Sequence, residues 1–296
     1  MRELTIINPA AGKGRVPEGL KGYFTTGQND CRRYVREECM RDPDVHFNVC
    51  GGDGTLNEAV SGVMDAGAGA RASVTMIPIG SGNDTVKTTD LSPAGTVLDL
   101  DLIKVNDAYG VNMLNIGFDC NVVACAQHYK TKKGVSGSFA YIMGVAHEFF
   151  RPFGEPFVIE AECVDGSVFK YAEDSMLCAV CNGQWCGGGF HNSPYSDMTD
   201  GVIEMLLVRK VSRPAFLQLV GAYKKGTLLN EDGSVAIKKF HDVVIYKRVK
   251  KMSISGCKQI CADGEIFDCK SAEISVLPGA VRYRVGPAAE NAPAEK

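Results

Sequence analysis

Apolar positions change their spacing twice in the first half of the chain and then settle into a different texture. Val45, Phe47 and Val49 alternate with His46 and Asn48 as a strand requires, whereas Leu56, Ala59, Val60, Val63 and Met64 recur at helical intervals. Leu4 to Ile7 and Val74 to Pro78 predict two further strands, and Cys31 to Met40 a charged helix closed by Asp42-Pro43. From about Thr96 strand follows strand: Val97 to Val105, Ala108 to Ile116, Phe157 to Val164, Val168 to Asn182, Val202 to Arg209, and more as far as Val285. Helices interrupt them near Asn121 to Tyr129, Ser138 to Phe150 and Arg213 to Lys225. The pattern predicts an α/β domain over 1–95, a mostly antiparallel β domain over 96–286, and a polar, disordered tail from Pro287 to Lys296.

The change of period after the second of these strands falls inside Gly51-Gly52-Asp53-Gly54-Thr55-Leu56-Asn57-Glu58. Three glycines leave no side chain over the turn, so backbone N–H groups and the positive end of the next helix can approach an anion. Asp53 is out of place beside bare phosphate and suits a site shared with a metal ion or a ribose hydroxyl. A plainer reading makes Thr55 the N-cap and Glu58 the partner in a Thr-x-x-Glu capping box. The first strand also runs into a small-residue loop, Asn8-Pro9-Ala10-Ala11-Gly12, and the strand at Val74 into Gly80-Ser81-Gly82-Asn83-Asp84. In a parallel sheet the carboxyl ends lie together, so one crevice collects all three loops.

Length and composition bound this picture. A chain of 296 residues suits two cores, and 45% hydrophobic with 23% charged residues is ordinary for a globular protein. No segment approaches the roughly 18 apolar residues of a membrane span. The N-terminus runs straight into a strand without a basic-apolar leader, and twelve scattered cysteines fit a reducing compartment. The expected location is the cytoplasm, with peripheral contact at the inner face of the membrane left open. Cys178-x-x-Cys181 has half of a zinc-site spacing, but on a strand its two thiols face opposite sides. Net charge is -3, yet residues 205–258 carry twelve Lys or Arg against three acidic residues. This basic excess favours an anionic membrane surface over nucleic acid, because aromatic residues are sparse among the charges. A helix as apolar as Ser138 to Phe150 packs on the sheet or lines an apolar cleft.

Three polar islands interrupt the β half: Asn182 to Phe190 with Gly187-Gly188-Gly189, Asp197 to Gly201, and Asp263-Gly264-Glu265. Together with Asn8-Pro9-x-x-Gly12, the Gly51 to Glu58 stretch and Gly80 to Asp84, they stand in the order of the diacylglycerol kinase catalytic-domain family, which this chain resembles to about Val285. The resemblance implies a Rossmann-like domain related to NAD kinases and phosphofructokinases, followed by an antiparallel β-sandwich. It implies an ATP-dependent, Mg²⁺-requiring lipid kinase. ATP would be held by Asn8, Pro9, Ala10, Ala11, Gly12, Thr25, Gly51, Gly52, Asp53, Gly54, Thr55, Leu56, Asn57 and Ser81. Glu265 would accept the proton, with Asp263 and Asp84 beside the reacting groups. A structural Mg²⁺ would sit on the Asp200 carboxylate and the carbonyls of Asp197 and Val202. The family's crossover helix after the first loop is missing, since only Arg15 to Phe24 stand in its place. Such a crossover needs about a dozen residues, so the second strand is expected to be displaced or lost. Two rival readings share these loops: an NAD kinase-like enzyme with a nucleotide acceptor, and a non-catalytic nucleotide- or lipid-binding protein. The acceptor is expected to be diacylglycerol or a related lipid met at a membrane surface, and a homodimer stays open.

Overall fold

The computed structural model describes residues 1–14, 16–17, 19–130, 137–152 and 154–286; the expected tail at 287–296 lies outside them. The first half runs β1 (Arg2–Ile7), a 3-10 turn (Ala11–Gly14), β2 (Tyr23–Phe24), α1 (Asp30–Arg41), β3 (Val45–Gly51), α2 (Asp53–Asp65), β4 (Ser73–Pro78) and α3 (Asp84–Thr89). Its strands lie in the order β4-β3-β1-β2, all parallel. β3 is covered on both faces although its sequence alternates, so His46 is buried at 1% exposure on the face opposite Phe47 and Val49. Phe47 and Val49 pack with Val35 of α1 and with Leu56, Val60 and Val63 of α2 in one buried cluster.

The second half contains β5 (Val97–Val105), β6 (Ala108–Gly110), β7 (Met113–Gly117), α4 (Phe118–Lys130), α5 (Gly137–Phe149), β8 (Glu155–Cys163), β9 (Val168–Cys181), β10 (Ile203–Arg209) and α6 (Arg213–Lys225). A 3-10 turn (Lys238–Phe240) then leads to β11 (Val244–Ser255), β12 (Gln259–Ala262), β13 (Glu265–Asp268) and β14 (Ser271–Arg284). Pairing among these strands is antiparallel, as at β9–β10 and β8–β11. The two halves are not separate sheets. β14 pairs antiparallel with β5 and β11, and its last residues pair parallel with β4 at Arg282↔Ser73 and Tyr283↔Val74. The parallel sheet therefore receives its fifth strand from the far end of the chain, and hydrogen bonding crosses residue 95 without a break.

Several local expectations change. β2 is neither displaced nor lost: two residues suffice to pair Ile6↔Tyr23 and Ile7↔Phe24, and Thr25 N–H follows in register, donating to Ile7 O at 2.9 Å. A 3-10 turn (Ala11–Gly14) opens the connection of residues 8–22 from β1 to β2, in which Arg15 and Glu18 lie outside the described residues. The strand expected from Ala108 to Ile116 is broken into β6 and β7, because the N–H groups of Val111, Asn112 and Met113 turn toward the Asp263 carboxylate. α3 follows directly on the Gly80 to Asp84 loop, its first turn receiving the Asp53 side chain at Thr85 N–H, 3.0 Å away. Helix α5 packs on α4 so closely that a Cβ on Gly144 would lie 2.7 Å from Val122 O. Ile142 of α5 stays 62% exposed, so not all of the helix's apolar surface is covered.

Tyr283 sits at the seam, 1% exposed, in the cluster shared by β14, β3 and β4. Tyr283→Ala should destabilise the chain by about 3–5 kcal/mol, as for other large aromatic truncations. Urea denaturation reads this directly, and an unchanged midpoint would show that the seam is not load-sharing.

Candidate active site

The three glycine-bearing loops meet at the carboxyl edge of the parallel sheet. A Cβ on Gly80 would stand 2.6 Å from Gly52 Cα, and one on Gly12, whose φ is +57°, would stand 2.0 Å from Ile79 O. Only glycine permits that approach. Asn8 is the internal tie of the first loop: its Oδ1 accepts from Ala10 N–H at 3.0 Å and its Nδ2 donates to Thr55 Oγ1 at 2.9 Å. Pro9 and Ala10 are exposed on this rim, with Ala11 and Gly12 partly covered.

The capping box does not form. α2 begins at Asp53 with Gly52 as N-cap and no side chain capping it, and its first intrahelical bond is Leu56 N–H to Gly52 O at 3.1 Å. Glu58 instead accepts from Asn29 N–H at 2.9 Å and Cys31 N–H at 3.1 Å, so it caps the start of α1. The opening turn of α2 thus keeps the N–H groups and positive dipole end that bind an anion. A Cβ on Gly54 would meet nothing within 4 Å, so this end is open. Leu56 faces the core, fully buried, and can offer a ligand its backbone alone.

Two carboxylates border the loops. A Cβ on Gly82 would be 3.0 Å from Asp53 Oδ2 and 3.3 Å from Asp84 Oδ2. Burial pushes the Asp53 carboxyl up, the Thr85 N–H opposes this, and the Asp84 charge adds to it. Asp84 is held by Lys87 Nζ at 2.7 Å and by Gly188 N–H at 2.8 Å, which docks the Gly187 to Gly189 loop of the second half onto the first. Lys87 also lies 5.6 Å above the Trp185 ring, and Trp185 stacks on His191 at 4.1 Å. Ser81 is exposed in the same loop, and Asn83 Oδ1 is buried near Gly80 with no hydrogen-bond partner. Two close carboxylates and an orphaned amide oxygen are the oxygen-rich surroundings that a hard cation suits.

Asp263-Gly264 is both a hairpin turn and a functional joint. The turn closes Ala262↔Glu265 with φ +47° at Asp263 and +95° at Gly264. Positive φ at both central positions favours an Asp-Gly pair. Asp263 accepts from Val111 N–H at 2.6 Å, Met113 N–H at 2.8 Å, Asn112 N–H at 3.0 Å and Asn57 Nδ2 at 2.8 Å. Burial pushes its carboxyl up against these bonds. With both oxygens engaged, Asp263 is a staple rather than a reacting acid, which corrects the expectation that placed it beside the chemistry. Asn57 is thereby tied to the hairpin and not turned outward to a ligand. Glu265, two residues on, is partly exposed and accepts from Gln28 Nε2 at 2.7 Å.

The loop expected to hold a structural Mg²⁺ is pinned by a residue the sequence did not single out. Asp101, 1% exposed, accepts from Gly201 N–H at 2.6 Å and Gly279 N–H at 2.7 Å. Asp197 accepts from Thr199 N–H at 2.9 Å, Asp200 Oδ1 from Val202 N–H at 3.1 Å, and Asp200 Oδ2 pairs with Arg248. Burial raises the carboxyl of Asp101, and the charges of Asp200 and Asp197 raise it further. The carboxylates of Asp101, Asp197 and Asp200 are each engaged by N–H groups of the chain, and Arg248 neutralises Asp200, so the oxygen chemistry that a hard cation suits is present but already partnered within the protein. Cys178 and Cys181, by contrast, are buried in different apolar clusters on opposite faces of β9.

Gln28, Asp101, Trp185 and Asp119 are the residues that sequence reasoning missed. Asp119 opens α4; burial pushes its carboxyl up to about 6, with Tyr223 Oη at 3.2 Å working against that rise. A carboxyl following Gly117-Phe118 at a strand-to-helix junction was the available signal. Gln28 and Asp101 had none, because each acts across more than 90 residues of sequence.

A parallel α/β unit and an antiparallel β unit are joined where the glycine loops meet a carboxylate hairpin, an architecture that matches a family of lipid kinases. Residues 2–108 match the diacylglycerol kinase catalytic domain, and residues 112–285 match the YegS C-terminal NAD kinase beta sandwich-like domain. The chain belongs to this lipid kinase family. It is 27% identical over 311 residues to a "Probable lipid kinase YegS-like" of Pectobacterium atrosepticum, covering 96% of each chain. The protein of the same description from Yersinia enterocolitica is 26% identical over 282 residues, covering 90% of this chain and 87% of that one. A diacylglycerol kinase structure from Bacillus anthracis shares the fold, with a TM-score of 0.71 at 23% identity over 97% of this chain and 98% of that one.

The raised Asp119 carboxyl makes stability depend on pH. Its value of about 6 exceeds the ordinary 3.8, so the folded chain holds this proton more tightly than the unfolded chain. That contribution is complete below about pH 4 and is lost as pH rises through about 6. Asp119→Asn should therefore gain stability relative to the parent between about pH 4 and pH 7.5, as measured by urea denaturation at both. An offset equal at the two pH values would contradict the shift.

Proposed function

We propose that the chain transfers the γ-phosphoryl group of ATP to a hydroxyl of diacylglycerol or a related lipid. The observation that carries this reading is the link from the anion-ready start of α2, through Asn57 and Asp263, to the hairpin that presents Glu265. Phosphoryl transfer asks chiefly for alignment and charge neutralisation. The phosphates would lie on the N–H groups of Gly54 and Thr55, with the Asn8 to Gly12 loop, Thr25 and Ser81 shaping the rim. Glu265 takes the proton of the lipid hydroxyl as its oxygen bonds to phosphorus and ADP departs. Gln28 occupies Glu265 Oε2 and leaves Oε1 for that proton. Asp263 positions Glu265 and does not itself react.

Mg²⁺ bound beside Asp53 and Asp84 would supply neutralisation of the phosphoryl oxygens. A second ion on Asp200, with the carbonyls of Asp197 and Val202, would stiffen the loop that Asp101 pins. No described helix is long and apolar enough to cross a membrane; in this reading the lipid is met at a membrane surface. Part of the basic excess at 205–258 is spent internally, since Arg209 pairs with Glu173 and Arg248 with Asp200. Lys250 and Lys251 remain exposed side by side on β11 and suit an anionic leaflet, at about 1 kcal/mol each.

Radiolabelled ATP offered with dispersed diacylglycerol, ceramide, sphingosine or NAD identifies the acceptor by which product carries phosphate. Label in a lipid is expected. Label in NAD, or in no acceptor despite tight nucleotide binding, would overturn the reading. Glu265→Gln should lower turnover by about 10²- to 10⁴-fold while leaving ATP binding intact.

A further inference from the structure

Away from the glycine loops, one group of mixed donors converges among the described residues. Cys125 on α4, with His147 and Glu148 on α5, offers one sulfur, one nitrogen and one carboxylate oxygen, all within 4.8 Å of one another. Tetrahedral zinc with bonds of about 2.0–2.3 Å holds its ligand atoms somewhat closer, a difference that small side-chain rotations close. The same three residues line a cavity of about 550 Å³, whose wall also carries Asn121 and Glu155. The cavity leaves room for a water in the fourth position, and its two carboxylates, Glu148 and Glu155, are faced by Arg151 and Lys258 on the same wall, so the donor set rather than net charge selects the ion. From these observations we propose that Cys125, His147 and Glu148 form a binding site for a borderline divalent ion of the zinc type.

The donor set selects that class. Mg²⁺ and Ca²⁺ prefer oxygen, whereas a thiolate, an imidazole and a carboxylate together suit zinc and its neighbours. Burial pushes the Cys125 thiol up, and the Glu148 charge adds to that, so the empty site keeps its proton. Metal binding forms the metal–sulfur bond as the S–H proton leaves to solvent, with no change of oxidation state. Arg151, whose side chain is 64% exposed, lies 3.8 Å from Glu148 Oε1 and swings outward as the ion arrives. His147 Nε2 is 3.8 Å from the same oxygen.

The site has a mechanical consequence. An ion joining Cys125 to His147 and Glu148 clamps α4 to α5. α4 also reaches the carboxylate hairpin, where Gln127 Nε2 donates to Gly264 O at 2.8 Å. The clamp therefore stiffens the helix that supports the turn before Glu265. Metal binding itself is independent of the kinase reading.

The test uses the full chain, stripped of metal and titrated with Zn²⁺ and with Co²⁺. One zinc per chain should survive dialysis, Co²⁺ should give an intense near-ultraviolet sulfur-to-metal band, and Zn²⁺ should raise the melting temperature by about 5 °C. Cys125→Ser and His147→Asn should each lose the bound zinc and the melting shift, with the metal-free melting temperature unchanged. His147→Asn carries the comparison if the serine variant does not fold. Absence of stoichiometric zinc from the parent, or undiminished binding in both variants, would overturn the proposal.

Discussion

Backbone crowding at the sheet's carboxyl edge is the constraint on which the rest depends. Gly12 and Gly80 approach other main-chain atoms so closely that a Cβ would stand 2.0 Å from Ile79 O and 2.6 Å from Gly52 Cα, distances that no Cβ tolerates. That closeness brings the open end of α2, the Asn8 loop and the Gly80 loop around one volume. It also forces polar side chains into long-range ties: Asn8 to Thr55, Asp53 to Thr85, Glu58 to the start of α1. Each tie organises a neighbouring loop while leaving the first turn of α2 uncapped by any side chain.

The second half is attached to this edge by carboxylates. Asp263 gathers three successive N–H groups and the Asn57 amide, so the hairpin bearing Glu265 is fixed to α2 itself. Asp84 receives Gly188 N–H and docks the glycine-rich loop that carries Trp185. β14 completes the join through the sheet. A buried carboxylate with several N–H donors is costly to disturb, because removing it leaves each donor unsatisfied. The cleft is thus built from hydrogen bonds between the halves as much as from apolar packing.

Much of this was legible in the sequence. Period and punctuation located α6 and β5 to the residue, and the three loops were identifiable because strand-to-glycine transitions are local signals. What failed was non-local. The Thr55 to Glu58 spacing suggests a cap, but Glu58 has a better use at α1. Ala108 to Ile116 reads as one strand until Asp263, some 150 residues away, withdraws its middle N–H groups. The β1–β2 connection suggests a lost strand, yet residues 8–22 are long enough to bring Tyr23 and Phe24 back parallel to β1 without a full helix. Gln28 is invisible for the same reason, since nothing near it in sequence marks its reach to Glu265.

We propose that glycine-only contact between the loops shapes a cradle for nucleotide. Calorimetric titration of Gly80→Ala with a non-hydrolysable ATP analogue and Mg²⁺, alongside circular dichroism of the same sample, tests it most directly. The added methyl must move Gly52 away, so nucleotide affinity should fall at least tenfold while the folded signal persists. Parental affinity in a folded Gly80→Ala protein would contradict the claim.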